Sequence, residues 1–222
     1  MLRRALARCR SSAPHPPPGT LPGGQRSTVN NMGFEMSEPS PLLDAWVSSF
    51  DGKRFLADVG CAYGLNARNA AKMLQLRGKG EKKKQIIICA DVDPRHLAFV
   101  DALDNFRLRT EKIKLPDDTR GLEKTIGLSG VLCGEVFHFL SGAEIERSLN
   151  AFFKLIVAGT GTLCITASSR RMQWTRAGFE IKIARYGWHP GYPAEYRDPS
   201  ADGVGVENIQ IVAVKPERWV TG

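Results

Sequence analysis

From Ser40 onward, short apolar runs alternate with stretches whose apolar residues recur at helical spacing. Pro41 to Phe50 places Leu42, Leu43 and Trp46 on one helix face, with Ser40 or Pro41 as its start signal. Phe55 to Val59 reads as a short buried strand that stops at Gly60. Ala67 to Leu76 is rich in Ala, Leu and Met and predicts a helix ending at Gly78. Ile86-Ile87-Ile88-Cys89-Ala90 is apolar without alternation, the pattern of a parallel strand covered on both faces. Pro94 to Arg109 predicts a helix, Lys112 to Leu115 a short strand, and Gly130 to Phe137 a longer one. Ala143 to Ile156 predicts a helix, and Thr162 to Thr166 a strand after Gly159 and Gly161. A short helical piece ends at Ala177-Gly178, and Glu180 to Tyr186 with Ile209 to Val214 close the chain as a β pair.

Alternation of this kind predicts a doubly wound α/β sheet, mostly parallel, with an antiparallel terminal β pair. Ligands of such sheets bind beyond the carboxyl ends of the strands, where strand order reverses. The informative residues therefore follow the first, second and fourth strands.

After the first strand stands Asp58-Val59-Gly60-Cys61-Ala62-Tyr63-Gly64. Glycines here permit a tight turn and close approach of backbone to a ligand at a helix N-terminus. The dinucleotide pattern GxGxxG fails at Ala62 and Leu65. The pattern acid-x-Gly-x-Gly-x-Gly fits with one substitution, Ala62 for the middle glycine. A carboxylate at Asp58 suits a cationic amino group and would repel a pyrophosphate. After the second strand, Cys89-Ala90-Asp91-Val92-Asp93-Pro94 puts Asp91 27 residues past Gly64, where a carboxylate can accept ribose hydroxyls. Asp93 reads as the cap of a helix that Pro94 opens.

These two blocks resemble motifs one and two of the class I S-adenosylmethionine-dependent methyltransferases. A third block, Gly134-Glu135-Val136-Phe137-His138-Phe139-Leu140-Ser141-Gly142 followed by a helix and Leu155 to Leu163, is similar to that family's fourth strand, helix and turn into strand five. Val206 to Pro216 resembles the closing strand of small, bacterial-type members. The resemblance spans residues 40–216 and implies a Rossmann-like methyltransferase sheet with S-adenosylmethionine as cofactor. It implies that Asp58 holds the methionine amino group, directly or through water. Gly60, Cys61, Ala62 and Gly64 would bring backbone to the methionine part and the sugar. Asp91 would bind the ribose hydroxyls, Val92 would pack on the adenine, and Glu135 and Val136 would lie beneath the sulfonium. His138 is the titratable residue there suited to a base at neutral pH. Four departures stand out. Ala62 replaces a glycine. The strand-three acid has only Asp117 or Asp118 as counterparts. Ala158-Gly159-Thr160-Gly161 replaces Pro-Gly-Gly. Ala167 to Gly178 is short for a substrate lid.

Two functions follow. One is methyl transfer to a small-molecule acceptor. The other is a catalytically inactive methyltransferase-fold domain that binds the cofactor and serves as a partner subunit. The short lid segment leaves the acceptor pocket open, completed by a partner chain, or absent.

Composition refines this. Of 222 residues, 42% are hydrophobic and 24% charged, and no apolar run reaches the ~20 residues of a membrane span. The five cysteines are scattered with no CxxC pair, so no zinc ribbon or dithiol motif is read and no metal is expected. Cys89, Cys133 and Cys164 lie within apolar runs, as small buried hydrophobes do. Net charge is +8, but residues 1–34 hold five Arg and no acid, leaving 26 basic against 23 acidic residues in 35–222. Lys79, Lys82, Lys83 and Lys84 form a solvated loop, and nucleic-acid contact is not expected. Residues 1–34 read as a disordered leader and 35–222 as a single domain. Leu2, Ala5, Leu6 and Cys9 gather on one helix face against Arg3, Arg4, Arg8 and Arg10, the pattern of an organelle transit peptide. A mitochondrial location is expected, with the cytoplasm as the alternative.

Overall fold

The computed structural model describes residues 38–76, 85–103, 105, 107–125, 127–168, 180–187 and 208–217. The leader 1–34, the lysine cluster 79–84, the helical piece ending at Gly178 and nearly all of the 167–178 lid segment lie outside the described residues.

Among the described residues, seven strands form one sheet: β1 (Phe55–Val59), β2 (Ile87–Asp91), β3 (Leu108–Lys112), β4 (Leu128–Gly134), β5 (Thr162–Ser168), β6 (Glu180–Gly187) and β7 (Asn208–Val214). Their order is β3-β2-β1-β4-β5-β7-β6. β1 to β5 are parallel, while β7 runs antiparallel to both β5 and β6. The expected doubly wound sheet with an antiparallel terminal pair is what the chain forms. Strand order reverses between β1 and β4, which opens the ligand crevice at their carboxyl ends.

Alternating residues of β1, β2, β4, β5 and β7 feed two separate cores. On one face, Leu56, Ile87, Cys89 and Leu132 pack against α1 (Leu43–Ser48), α2 (Leu65–Leu76) and α3 (Pro94–Asp101). On the other, Ala57, Ile88, Val131 and Ile165 meet α4 (Arg120–Glu123) and α5 (Gly142–Leu155). Trp46 of α1 and Phe152 of α5 are fully buried anchors of the two layers. Phe152 stacks on Phe137 of the 3-10 turn Phe137–Phe139, with centroids 6.4 Å apart. The four described cysteines are free and buried, as their apolar runs predict for Cys89, Cys133 and Cys164.

Local chemistry sets the helix starts. Ser141 and Glu144 form a reciprocal capping box that begins α5 at Gly142. Asp93 accepts the Arg95 N–H at 2.9 Å and Pro94 occupies the first turn of α3, the capping role expected for it. The expected helix Pro94–Arg109 needs correction: α3 stops at Asp101, and residues 108–112 are strand β3. Asn105 makes the break. Its side chain accepts the Arg107 N–H at 3.0 Å and its carbonyl accepts the Leu108 N–H at 2.9 Å, turning the chain back along β2. The strand expected at Lys112–Leu115 lies instead at Leu108–Lys112, sharing only Lys112 with the expected span, and α4 has no counterpart in the sequence reading.

Candidate active site

The crevice is lined by the turn after β1. Gly60 and Gly64 both have φ +73°, and Ala62 sits at φ 43°, also in the left-handed region. The turn is pinned to the next strand: the Gly60 and Cys61 N–H groups both donate to the Ala90 carbonyl, at 2.8 and 3.1 Å. The Gly64 N–H closes back on the Cys61 carbonyl at 2.7 Å, and α2 follows at once. Ala62 takes over a glycine's conformation because its N–H is held by Asp91 Oδ2 at 3.0 Å. That bond offsets a left-handed conformation costing roughly 1–2 kcal/mol.

Asp91, at the end of β2, is only 6% exposed. Its Oδ2 accepts from Ala62, and its Oδ1 accepts the Asp93 N–H at 2.8 Å and lies 3.1 Å from His96 Nδ1. A carboxylate offers about four acceptor positions. Most of this one is therefore committed to the protein, and what remains suits one hydroxyl better than a pair. His96, buried at the start of α3, was not singled out by the sequence reading. It stands on the core face of α3 beside Leu97 and Val100, which is also how an ordinary packed residue looks. Tyr63 meets His96 edge-on at 5.1 Å and closes the floor of the turn.

Asp58 is 1% exposed and stands one residue before the end of β1, on the α2 side of the sheet. Its Oδ2 accepts the Ala67 N–H at 3.2 Å, and the Asn66 side chain also hydrogen-bonds to it. Burial, joined by the negative charge of Asp91, pushes its carboxyl up to about 7 against the pull of the Ala67 and Asn66 bonds. Asp58 therefore lies buried behind the turn and not exposed in the crevice. Asn66 is a second residue the sequence reading missed; an Asn two residues past a turn glycine is an ordinary helix start.

The end of β4 comes to the same place. Glu135 has φ 57°, and its N–H donates to the Thr166 carbonyl at 2.7 Å, which bends the chain out of the sheet. Val136 then seats a methyl directly on Gly60, in the space a Cβ there would need. Val92, just past Asp91, is 48% exposed, an apolar surface beside the polar turn. Asp58, Gly60, Cys61, Ala62, Gly64, Asp91 and Val92 thus surround one turn, with Val136 seated on it and Glu135 next along the chain. His138 lies on the 3-10 turn after Val136; its side chain is outside the described residues.

Of the two acids weighed for the third strand, Asp118 is engaged by Arg120, at 2.9 Å to each carboxylate oxygen. Asp117 lies 3.7 Å from the Arg147 guanidinium. The thiols near the site are not ionised: the Cys89 thiol and burial hold Cys61 well above its usual value, and burial does the same for Cys133. Among the described residues no three His, Cys, Asp or Glu side chains form a metal-binding group. Nor is any described helix long and apolar enough to cross a membrane.

The sequence matches no family model and no curated protein. The fold, by contrast, is similar to many solved structures. TehB from Haemophilus influenzae superposes with a TM-score of 0.54 at 13% identity, covering 81% of this chain and 63% of that one. The chain therefore spans less than two thirds of TehB's length. The N-methyltransferase NodS from Bradyrhizobium japonicum, solved with S-adenosyl-L-homocysteine, gives 0.53 at 14% identity, covering 79% of this chain and 84% of that one. A methyltransferase from Methanosarcina mazei described as S-adenosylmethionine-dependent gives 0.52 at 10% identity, covering 82% of this chain and all of that one. The chain has the Rossmann-like fold of class I S-adenosylmethionine-dependent methyltransferases.

Proposed function

We propose that the protein binds S-adenosylmethionine and transfers its methyl group to a small-molecule acceptor. One observation carries this reading: at the β1/β4 switch point, a backbone turn at positive φ is tied to the carboxylate that ends β2, with a half-exposed apolar residue next to it. That combination suits a nucleoside bearing a cationic amino acid, and the shared fold supports it. The residues present fit the cofactor. Asp58 supplies a negative charge behind the turn for the amino group. Gly60, Cys61, Ala62 and Gly64 present backbone to the amino acid and the sugar. Asp91 has acceptor capacity left for one ribose hydroxyl, and Val92 offers a surface to the adenine. Glu135 and Val136 close the β4 side.

S-adenosylmethionine supplies an electrophilic methyl whose in-line displacement leaves a neutral thioether. The chain's own contribution is then alignment and exclusion of water, which can supply most of the rate. Val136, seated on Gly60, makes an apolar part of that enclosure. His138 is the base for an acceptor that must lose a proton.

Differential scanning fluorimetry tests the assignment, since a ligand of the native state raises the melting temperature. S-adenosylmethionine or S-adenosylhomocysteine at millimolar concentration should shift it upward, and no shift would end the cofactor reading. Asp91→Ala should weaken binding by about 1–3 kcal/mol, through the lost hydroxyl contact and the released Ala62 N–H. Turnover with candidate acceptors separates an enzyme from a cofactor-binding partner subunit.

We also propose that residues 1–34 direct the chain to mitochondria, on the amphipathic arginine pattern. A reporter fused to them should enter mitochondria, and exchanging Arg3, Arg4, Arg8 and Arg10 for Glu should leave it in the cytosol. A cytosolic wild-type reporter would return the assignment to the cytoplasm.

A further inference from the structure

We infer that Asn66 is a positioning residue for the cofactor's amino group: its side-chain amide holds the Asp58 carboxylate in place without neutralising it. This rests on the cofactor reading above and deepens it. The Ser40 N–H donates to Asn66 Oδ1 at 2.8 Å, across 26 residues of sequence. With Oδ1 occupied as acceptor, the Asn66 NH2 is left as the donor toward Asp58. The amide orientation is thus set from outside the site, by the segment leading into α1. Ser40 is itself buried, and its Oγ accepts the Leu42 N–H at 3.2 Å, so this anchor is part of the α1 start. The same NH2 borders Gly134 of β4, whose Cβ would sit 3.8 Å from Nδ2 and 3.5 Å from Thr166 Oγ1. Thr166 is 1% exposed, and its hydroxyl has no partner among the described residues.

The chemical point is the choice of donor. Arg or Lys at position 66 would pair with Asp58 and cancel its charge before a ligand arrived. An amide supports the carboxylate and leaves that charge for an incoming ammonium. The titratable and charged groups around Asp58 fit this account. Among the described residues they are Asp91 of β2 with His96 behind it, the Cys61 thiol of the turn, Cys89 opposite Asp58 on β2, and the Cys133 thiol of β4, with Glu135 beyond. None of them is a lysine or arginine.

The test is the pH dependence of S-adenosylhomocysteine binding, measured by calorimetry from pH 5.5 to 8.5. The wild type should bind more tightly as pH rises toward 7, up to tenfold per unit while Asp58 is protonated in the free protein. Any decline at higher pH belongs to the ligand's own ammonium and is common to all variants. Asn66→Ala should move the rising limb up by about one unit, the effect of losing one hydrogen bond to a charge. Affinity at pH 6 then falls about tenfold while affinity at pH 8 changes little. Asn66→Asp keeps the acceptor for Ser40 but sets a second acid beside Asp58, and should move the limb further. It also serves where the alanine variant fails to fold. 5′-Methylthioadenosine, which lacks the amino acid, should bind without the rising limb in every variant. A folded Asn66 variant with the wild-type limb, or flat wild-type binding of S-adenosylhomocysteine, would overturn the role of Asn66. Binding of neither compound by the wild type would instead bring down the methyltransferase reading, and this inference with it.

Discussion

Gly60→Ala should abolish measurable cofactor binding and destabilise the protein by about 2–4 kcal/mol. Two effects combine. The φ of +73° strains any residue with a Cβ, and the new methyl would overlap Val136 Cγ2. The second effect is the larger. Ala62 already occupies the left-handed region in the same turn, so this backbone tolerates positive φ when a hydrogen bond compensates. Relieving the overlap means moving Val136 or the turn, and either displaces the groups that would face the cofactor. Gly64→Ala is the internal comparison. It has the same φ, but its Cβ would come only to 3.1 Å from Val100 Cγ2, a contact that small adjustments relieve. Urea denaturation and calorimetric titration of both variants should therefore rank Gly60 well above Gly64. Equal effects would show that backbone conformation, and not the Val136 contact, controls the site.

Asp58→Asn should remove most of the acid-to-neutral change in stability and weaken cofactor binding at the same time. The Asp58 carboxyl is raised from 3.8 to about 7, chiefly by burial. In the sign convention of linkage, a raised folded-state value favours the folded protein fully below the unfolded value. That advantage is lost as pH climbs through the folded one. Between pH 4 and 7 the wild type should lose about 4 kcal/mol through this group, then level off. Asp51 works in a different window. Burial pushes its carboxyl up, but bonds from the Arg54 and Lys53 N–H groups and the Arg54 side chain outweigh it and hold it at about 2. Its contribution is present above its ordinary value of 3.8 and lost as pH falls through 2. Denaturation midpoints of wild type and Asp58→Asn are compared at pH 5 and 7.5, a window in which Asp51 does not titrate. Parallel pH slopes in wild type and variant would show that Asp58 does not titrate there.

The strands of the parallel core were legible because burial on both faces forces continuous apolar runs. Phe55–Val59 matches its expected span, and Ile86–Ala90 is displaced by one residue. The α3/β3 boundary was not legible, because β3 lies at the edge of the sheet and carries Arg109, Thr110, Glu111 and Lys112. Its only apolar anchor, Leu108, continues the helical spacing of α3. The turn chemistry of Asp104-Asn105 was the one available signal. In the site, residue identity located the glycines and acids, since strand ends and turns announce themselves. What identity could not convey was how each acid is used. Asp91 looks the same in sequence whether its oxygens face solvent or are held by Ala62, Asp93 and His96. Asn66 and His96 bond to partners 26 and five residues away, and only the folded chain brings those pairs together.

The position of β7 bears on how the sheet is assembled during synthesis. β5 leaves the ribosome with its outer edge open, and the next strand in the chain, β6, does not close it. Closure waits for β7, which then pairs with both neighbours along its whole length. Until that moment β5 exposes a row of unpaired backbone groups, the kind of edge that recruits foreign strands. In the interval before β7 arrives, a chaperone that shields strand edges should therefore raise the yield of folded protein.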